Sequence, residues 1–190
     1  MFARERQRQK RFSSSNSQER QSMELKEFFL AKLEREIEIT RKAVERAPEG
    51  QDDWKPHPKS MELGYLASLV ATMLGWIDFM IETDFLDFDS PEADSFKTKT
   101  LGSRAAMLAA LEEAAAKSRK ALENTTEEHL FGTWEFRMNG QVISGGPRHI
   151  MIADAVFSHL AHHRGQLTVY LRLNDASVPA IYGPSADEFH

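Results

Sequence analysis

From Met23 onward, apolar positions recur at helical intervals. Leu30, Leu33, Ile37, Thr40 and Val44 alternate spacings of three and four, which predicts one apolar stripe on an otherwise charged helix. Ala47-Pro48-Glu49-Gly50 ends it. Residues 54–58, with two prolines, read as an extended loop, and Ser60 is placed to cap a second helix with Glu62 in its first turn. Leu66, Leu69, Met73, Trp76 and Met80 form the inward stripe of that helix. Leu63, Val70, Leu74 and Ile77 widen it, a breadth that predicts burial on more than one side. Residues 84–98 are acidic, and their interleaved Phe85, Leu86 and Phe88 predict a loop that tucks aromatics back onto the helices.

A third helix is predicted from about Leu101 to Leu122, with Leu108, Leu111, Ala115 and Leu122 inward. The period then breaks. Thr133-Trp134-Glu135-Phe136-Arg137-Met138 alternates, Asn139-Gly140 follows, and Gln141-Val142-Ile143 resumes, which is the signature of a two-residue β-hairpin. Pro147 suits the first turn of a fourth helix, running from about Arg148 to Leu173 and spanning roughly 40 Å. Four long helices with modest connections predict an all-α fold, a four-helix bundle with a small β-hairpin before the last helix. The apolar segment 178–184 is expected to lie across one end of it.

Composition narrows the function classes. The 190 residues are 41% hydrophobic and 28% charged, with a net charge of -5, an ordinary globular balance that gives no reason to expect nucleic acid as a partner. Residues 1–22 differ: Arg4, Arg6, Arg8, Lys10, Arg11 and Arg20 face only Glu5 and Glu19. This segment has too little apolar surface to offset its ordering entropy, so a disordered basic tail is expected at 1–22 and one domain at 23–190. Its acidic residues and missing apolar face argue against a presequence or a nucleic-acid arm, and Met23 offers an alternative start. No uninterrupted apolar run reaches the length of a membrane span and no secretory signal pattern opens the chain, so neither membrane nor secretion is expected. There are no cysteines, which excludes disulfides, zinc–thiolate sites and a cysteine nucleophile and suits a cytoplasmic setting.

The candidate chemistry lies in the fourth helix. Its expected inward stripe reads Ile152, Val156, His159, His163, Gln166, Tyr170 and Leu173. His159 and His163 are four apart, so both imidazoles share a face, where they can hold a divalent metal or join a hydrogen-bonded core network. Sharper motifs are excluded: Leu160 stands where a zincin needs glutamate, and Val156 and Leu160 stand where ferritin-like sites need theirs. There is no Gly-x-Ser-x-Gly elbow and no phosphate-binding loop.

Residues 157–172 and the tail from Val178 to Glu188 resemble the DinB family. Trp54-Lys55-Pro56-His57-Pro58-Lys59-Ser60-Met61 is similar to the entry of that family's second helix, and Tyr182-Gly183-Pro184-Ser185-Ala186-Asp187-Glu188 to the tail of one branch. The resemblance implies an up-down-down-up bundle, a homodimer, and one divalent metal, zinc or nickel among others, held by three histidines. It implies chemistry in relatives that are S-transferases using low-molecular-weight thiols. Carried over, His159 and His163 match the fourth-helix metal ligands. The third ligand is replaced: Leu66-Ala67-Ser68-Leu69-Val70-Ala71 stands against the family's usual Leu-Ala-Gly-His-Val-Ala, which puts Leu69 at the ligand position.

The expectation is therefore a DinB-like protein with a degenerate two-histidine site, of unknown substrate and unknown catalytic residues, carrying metal at low occupancy or none. The alternative is a divalent-metal-dependent thiol S-transferase, and a third reading is metal-free acid–base chemistry by the pair. Gln166 is expected to hydrogen-bond one imidazole. His162 lies about 100° round the helix, facing solvent or backing the pair, while Thr72, His57 and His149 are poor substitutes for the missing ligand. Arg164 and Arg172 are expected outward or paired with acids such as Glu188, and Trp76, Tyr170 and Trp134 are read as core.

Overall fold

A computed structural model describes residues 23–188; the basic segment 1–22, with its expected disorder, lies outside the described residues. The fold is mostly helical, at 59%, with a small three-stranded sheet. Helix α1 spans Leu25–Val44. Helix α2 (Leu63–Thr72) passes through a 3-10 turn (Met73–Gly75) into α3 (Trp76–Glu82). Strand β1 (Phe85–Asp87) and a 3-10 turn (Pro91–Phe96) lead to α4 (Arg104–Asn124), whose N-terminus Ser103 caps by accepting from the Ala106 amide. Then come α5 (Glu127–Phe131), β2 (Thr133–Met138), β3 (Gln141–Pro147) and α6 (Arg148–Ile152). A π-helical segment (Ala153–Ser158) joins α6 to α7 (His159–Leu173).

The helices pack as their stripes demand. Helix α4 lies against α1, α2 and α3, and α2 also packs on α7. Leu33, Ile37, Thr40 and Val44 are buried, as are Leu63, Leu66, Leu69, Val70, Met73, Leu74, Ile77 and Met80. By length and composition Leu63–Glu82 would suffice to cross a membrane, contrary to the expectation from uninterrupted apolar runs, but 61% of it is buried inside the fold. Its breadth of apolar surface is spent on neighbours from several sides.

Three local expectations need correction. The second helix begins after Glu62 with no side-chain cap, not at Ser60. The acidic loop after Asp84 contributes a strand: β1 pairs parallel with β2, so the predicted hairpin is the larger part of a three-stranded sheet in the order β1-β2-β3. A three-residue strand carries too little periodicity to be seen in sequence. The hairpin turn itself has the positive φ that a type I′ turn requires, 49° at Asn139 and 76° at Gly140. A bulge after Phe136 leaves Ile143 unpaired opposite Arg137.

The third correction concerns the last helical stretch. Its fully buried seam runs Ile152, Val156, Leu160, Arg164, Leu167 and Leu171, each 0% exposed. Leu173, expected inward, is 55% exposed. Three successive steps of four drift by about 120° on a regular α-helix. The π segment has wider turns and absorbs about one residue of that drift, keeping the seam on the core. The amide of His159 bonds the Asp154 and Val156 carbonyls there, in place of the Ala155 carbonyl that an α-helix would use.

Candidate functional site

The π segment sets up the histidine pair at the start of α7. His163 is buried, 5% exposed, and His159 is half-buried on the edge of the seam. Their Nε2 atoms lie 2.8 Å apart, and His163 Nδ1 lies 2.8 Å from Gln166 Oε1. Gln166 thus plays the role expected of it: Nδ1–H of His163 donates to the amide oxygen, which leaves the Nε2 lone pair of His163 facing His159. In the neutral pair, His159 donates from Nε2 to that lone pair.

Burial and, after it, the neighbouring His163 lower the pKa of His159, while the Ala155 carbonyl partly opposes them. Burial lowers that of His163, against the hydrogen bond it donates to Gln166. A histidine whose folded pKa lies below its unfolded value of about 6.5 contributes stability above that pH, and the contribution is lost as pH falls. Urea midpoints measured from pH 7.5 to 5.5 are therefore expected to decline, chiefly below about pH 6.5. His163→Gln flattens this decline. A midpoint independent of pH across that window contradicts the buried neutral pair.

The other candidates are engaged elsewhere. Thr72 donates its hydroxyl to the Ser68 carbonyl at 2.9 Å. His57 Nδ1 accepts from the Lys59 amide at 3.1 Å in an exposed loop, and His149 Nδ1 lies 3.0 Å from the Leu130 carbonyl. His162 is exposed, its ring 5.1 Å from that of His163. Leu69 is buried on the helix that packs against α7. Two imidazoles bound to one zinc ion, with Zn–N of about 2.0–2.1 Å, hold their nitrogens on the order of 3 Å apart. The Nε2 separation suits such a pair, but among the described residues no group of three or more His, Cys, Asp or Glu side chains is placed to hold a metal. The donor set falls short of the three protein ligands of a catalytic zinc site.

The pair does not sit in a closed core. His159 lines a cavity of about 640 Å³, a volume suited to a small organic ligand. Its walls are aromatic: Trp76, Phe79, Phe88, Phe96, Trp134 and Phe136. Trp76 lies 5.8 Å from the His159 ring, and Phe79 is 3.9 Å from Phe96. Trp134 stands edge-on to Phe136 at 4.7 Å, and Phe136 stacks on Phe88 at 5.4 Å. Trp76 and Trp134 are thus cavity walls as well as packing residues. Tyr170 is not: it packs edge-on against Trp54, and its hydroxyl donates to the Met61 carbonyl. These walls come from α3, the strands, the 3-10 turn before α4 and the π segment, so no local period in the sequence marks them.

Both arginines pair with acids, as expected, but neither with Glu188, and Arg164 does so in the core. Arg164 is 0% exposed and pairs with Glu36, itself 0% exposed, at 2.7 Å. It also donates to Thr40 Oγ1 at 2.8 Å and to the Tyr182 hydroxyl. Arg172 does face solvent, where it pairs with Asp187, and Glu188 pairs with Arg46 instead. The signal for Glu36 was present: it stands three past Leu33 and four before Thr40, on the inward stripe of α1.

Comparison with known proteins identifies the family and the fold. The family model described as the DinB family matches residues 21–189. Two solved structures share the fold. The DinB-like protein YjoA from Bacillus subtilis superposes with a TM-score of 0.61 at 18% identity, covering 82% of this chain and 98% of that one. A DinB-like protein from Bacillus cereus gives a TM-score of 0.61 at 22% identity, covering 81% and 95%. No curated protein matches. With a family match along nearly the whole described chain and the same fold in two relatives, this chain belongs to the DinB family.

Proposed function

We propose that this DinB-family protein is a small-molecule binder whose histidine site has lost its third ligand and carries metal weakly or not at all. The observation that carries the reading is the joining of His159 and His163 Nε2 to Nε2 at the wall of an aromatic cavity, with the buried Leu69 where the family places its remaining histidine. The four helical stretches, two of them interrupted, are read as the family's up-down-down-up bundle, with the cavity between helix and sheet.

A pair of imidazoles leaves at least two coordination positions to water, and affinity falls accordingly. The same pair can accept and release a proton, since His159 reaches the cavity and His163, fixed by Gln166, stands behind it. The alternative reading, a divalent-metal-dependent thiol S-transferase, draws support from the same Nε2 spacing.

Metal analysis by mass spectrometry on untagged protein separates the two. The wild type is expected to hold well under one equivalent of zinc or nickel, and Leu69→His to approach one. Stoichiometric metal in the wild type overturns the degenerate site in favour of the alternative. Metal absent from both proteins shows that position 69 is not the missing ligand.

A further inference from the structure

The cavity has a chemical bias beyond its size. Six aromatic side chains surround it, and their faces carry partial negative charge. Among the described residues that line it, the one carrying a formal charge is Asp154, on the π segment beside Ala155 and five residues before His159. No lysine or arginine lines it, and among the described residues Asp154 has no ion-pair partner. The one indole donor deep in the wall is already used, since Trp134 Nε1–H donates to Thr83 Oγ1 at 3.3 Å. No fixed positive charge lines the wall to neutralise an anion, and with burial lowering the pKa of His159 its imidazole is held toward the neutral form.

The adjoining cleft shares Trp76, Phe79 and Phe96. Its four acids, Asp78, Glu82, Asp94 and Glu113, outnumber Lys97, Lys99 and Lys117, and Lys97 is tied to Asp94 and Lys117 to Glu113. The surrounding field is therefore not positive.

We infer that the cavity binds an organic cation, a quaternary or tertiary ammonium on an apolar or aromatic body, held between the aromatic walls with Asp154 supplying the countercharge. This deepens the proposed function and rests on its reading of the cavity as a ligand site. The physical basis is attraction of a poorly hydrated cation to several ring faces at once, strengthened by the exposed carboxylate at the rim. Trp76 is the ring best suited to the cation because indole is the strongest of the aromatic partners and its ring is half-buried rather than sealed in the core.

The test uses three probes of one shape on the full chain, followed by ligand-observed NMR titration: benzyltrimethylammonium, its neutral carbon isostere neopentylbenzene, and the anion phenylmethanesulfonate. The cation is expected to bind about tenfold or more tighter than the anion, and tighter than the neutral isostere. Asp154→Asn is expected to weaken the cation by about three- to tenfold and leave neopentylbenzene unchanged. Trp76→Leu, which keeps an apolar wall and removes the ring face, is expected to do the same. Neopentylbenzene binding as tightly as the cation, with neither variant altering the difference, overturns the cation inference and leaves the cavity reading standing. Tighter binding of the sulfonate also overturns it. Failure of all three probes to bind the wild type removes the cavity reading along with the inference.

Discussion

Replacing Arg164 with alanine is expected to destabilise the protein by about 3–5 kcal/mol, because it strands a buried charge. Glu36 is wholly inside the fold, and its carboxylate is held by Arg164, by Lys32 at 2.7 Å and by the Tyr182 hydroxyl at 3.0 Å. Burial pushes the Glu36 pKa up, but Lys32 and Arg164 together outweigh it and hold the group below its ordinary value. A lowered carboxylate pKa adds stability above the unfolded value of about 4.3 and loses it as pH falls through the folded one, so this network also weakens in acid. The penalty arises from breaking the pair, not from any large net gain in having it. Arg164 Nε is buried without a hydrogen-bond partner, so the guanidinium's desolvation is incompletely repaid. The double variant Glu36→Leu with Arg164→Met is accordingly expected to recover most of the loss. Urea unfolding of the singles and the double reads both terms. A loss under about 1 kcal/mol for Arg164→Ala is what a solvated surface pair would give, and would contradict the buried network.

Arg148→Ala is the second large effect, an expected loss of about 2–4 kcal/mol. Arg148 is 2% exposed and gathers the end of α3 to the start of the sheet. Its Nη1 donates to the Met80 carbonyl at 2.7 Å and the Thr83 carbonyl at 2.6 Å, its Nη2 to Asp84 Oδ1 at 2.8 Å, and its Nε to the His129 carbonyl at 3.3 Å. Removing the fork leaves helix-terminal carbonyls unsatisfied in a place water cannot easily reach. Asp84 adds little, because its side chain is 81% exposed. Lysine is not expected to rescue, since one ammonium on a flexible stem cannot span carbonyls that a planar fork bridges. Thr83 also receives Trp134 Nε1–H, so loosening this corner disturbs a cavity wall. Thermal unfolding measures the stability loss, and weaker benzyltrimethylammonium binding by whatever folded protein remains measures the second effect. Full stability in Arg148→Ala would show that these carbonyls find other donors.

The parts of this structure that the sequence foretold are those where period and burial coincide. The stripes of α1, α2 and α4 could be read because each helix buries a continuous face, and Asn139-Gly140 because its turn needs two positive φ values. The histidine pair could be read because both residues and Gln166 lie after the π segment, on one regular stretch. The inward face was set about one residue off because the π insertion keeps Ile152, Val156 and Leu160 on one seam at a spacing no α-helix sustains. Arg164 pairs with an acid, as one of its two expected fates had it, but its burial and its partner were not legible, because Glu36 lies on a helix distant in sequence. The cavity was hidden because aromatics from four short segments meet only after the sheet has formed. Hydrophobic patterning identifies faces, whereas a concave site between faces is a property of their assembly.

The ties of the C-terminal segment bear on how the chain comes to fold. Tyr182 bonds Glu36 across 146 residues of sequence, and Glu188 bonds Arg46 across 142. During synthesis, α1 emerges first with a carboxylate on its inward face, and neither Arg164 nor Tyr182 yet exists to meet it. Until they arrive, burying α1 against α2 or α4 means burying that charge with only Lys32 beside it. The nascent helices are thereby discouraged from closing early over a core that lacks its last member. Such long-range closure slows folding, and it delays commitment until nearly the whole chain has left the ribosome.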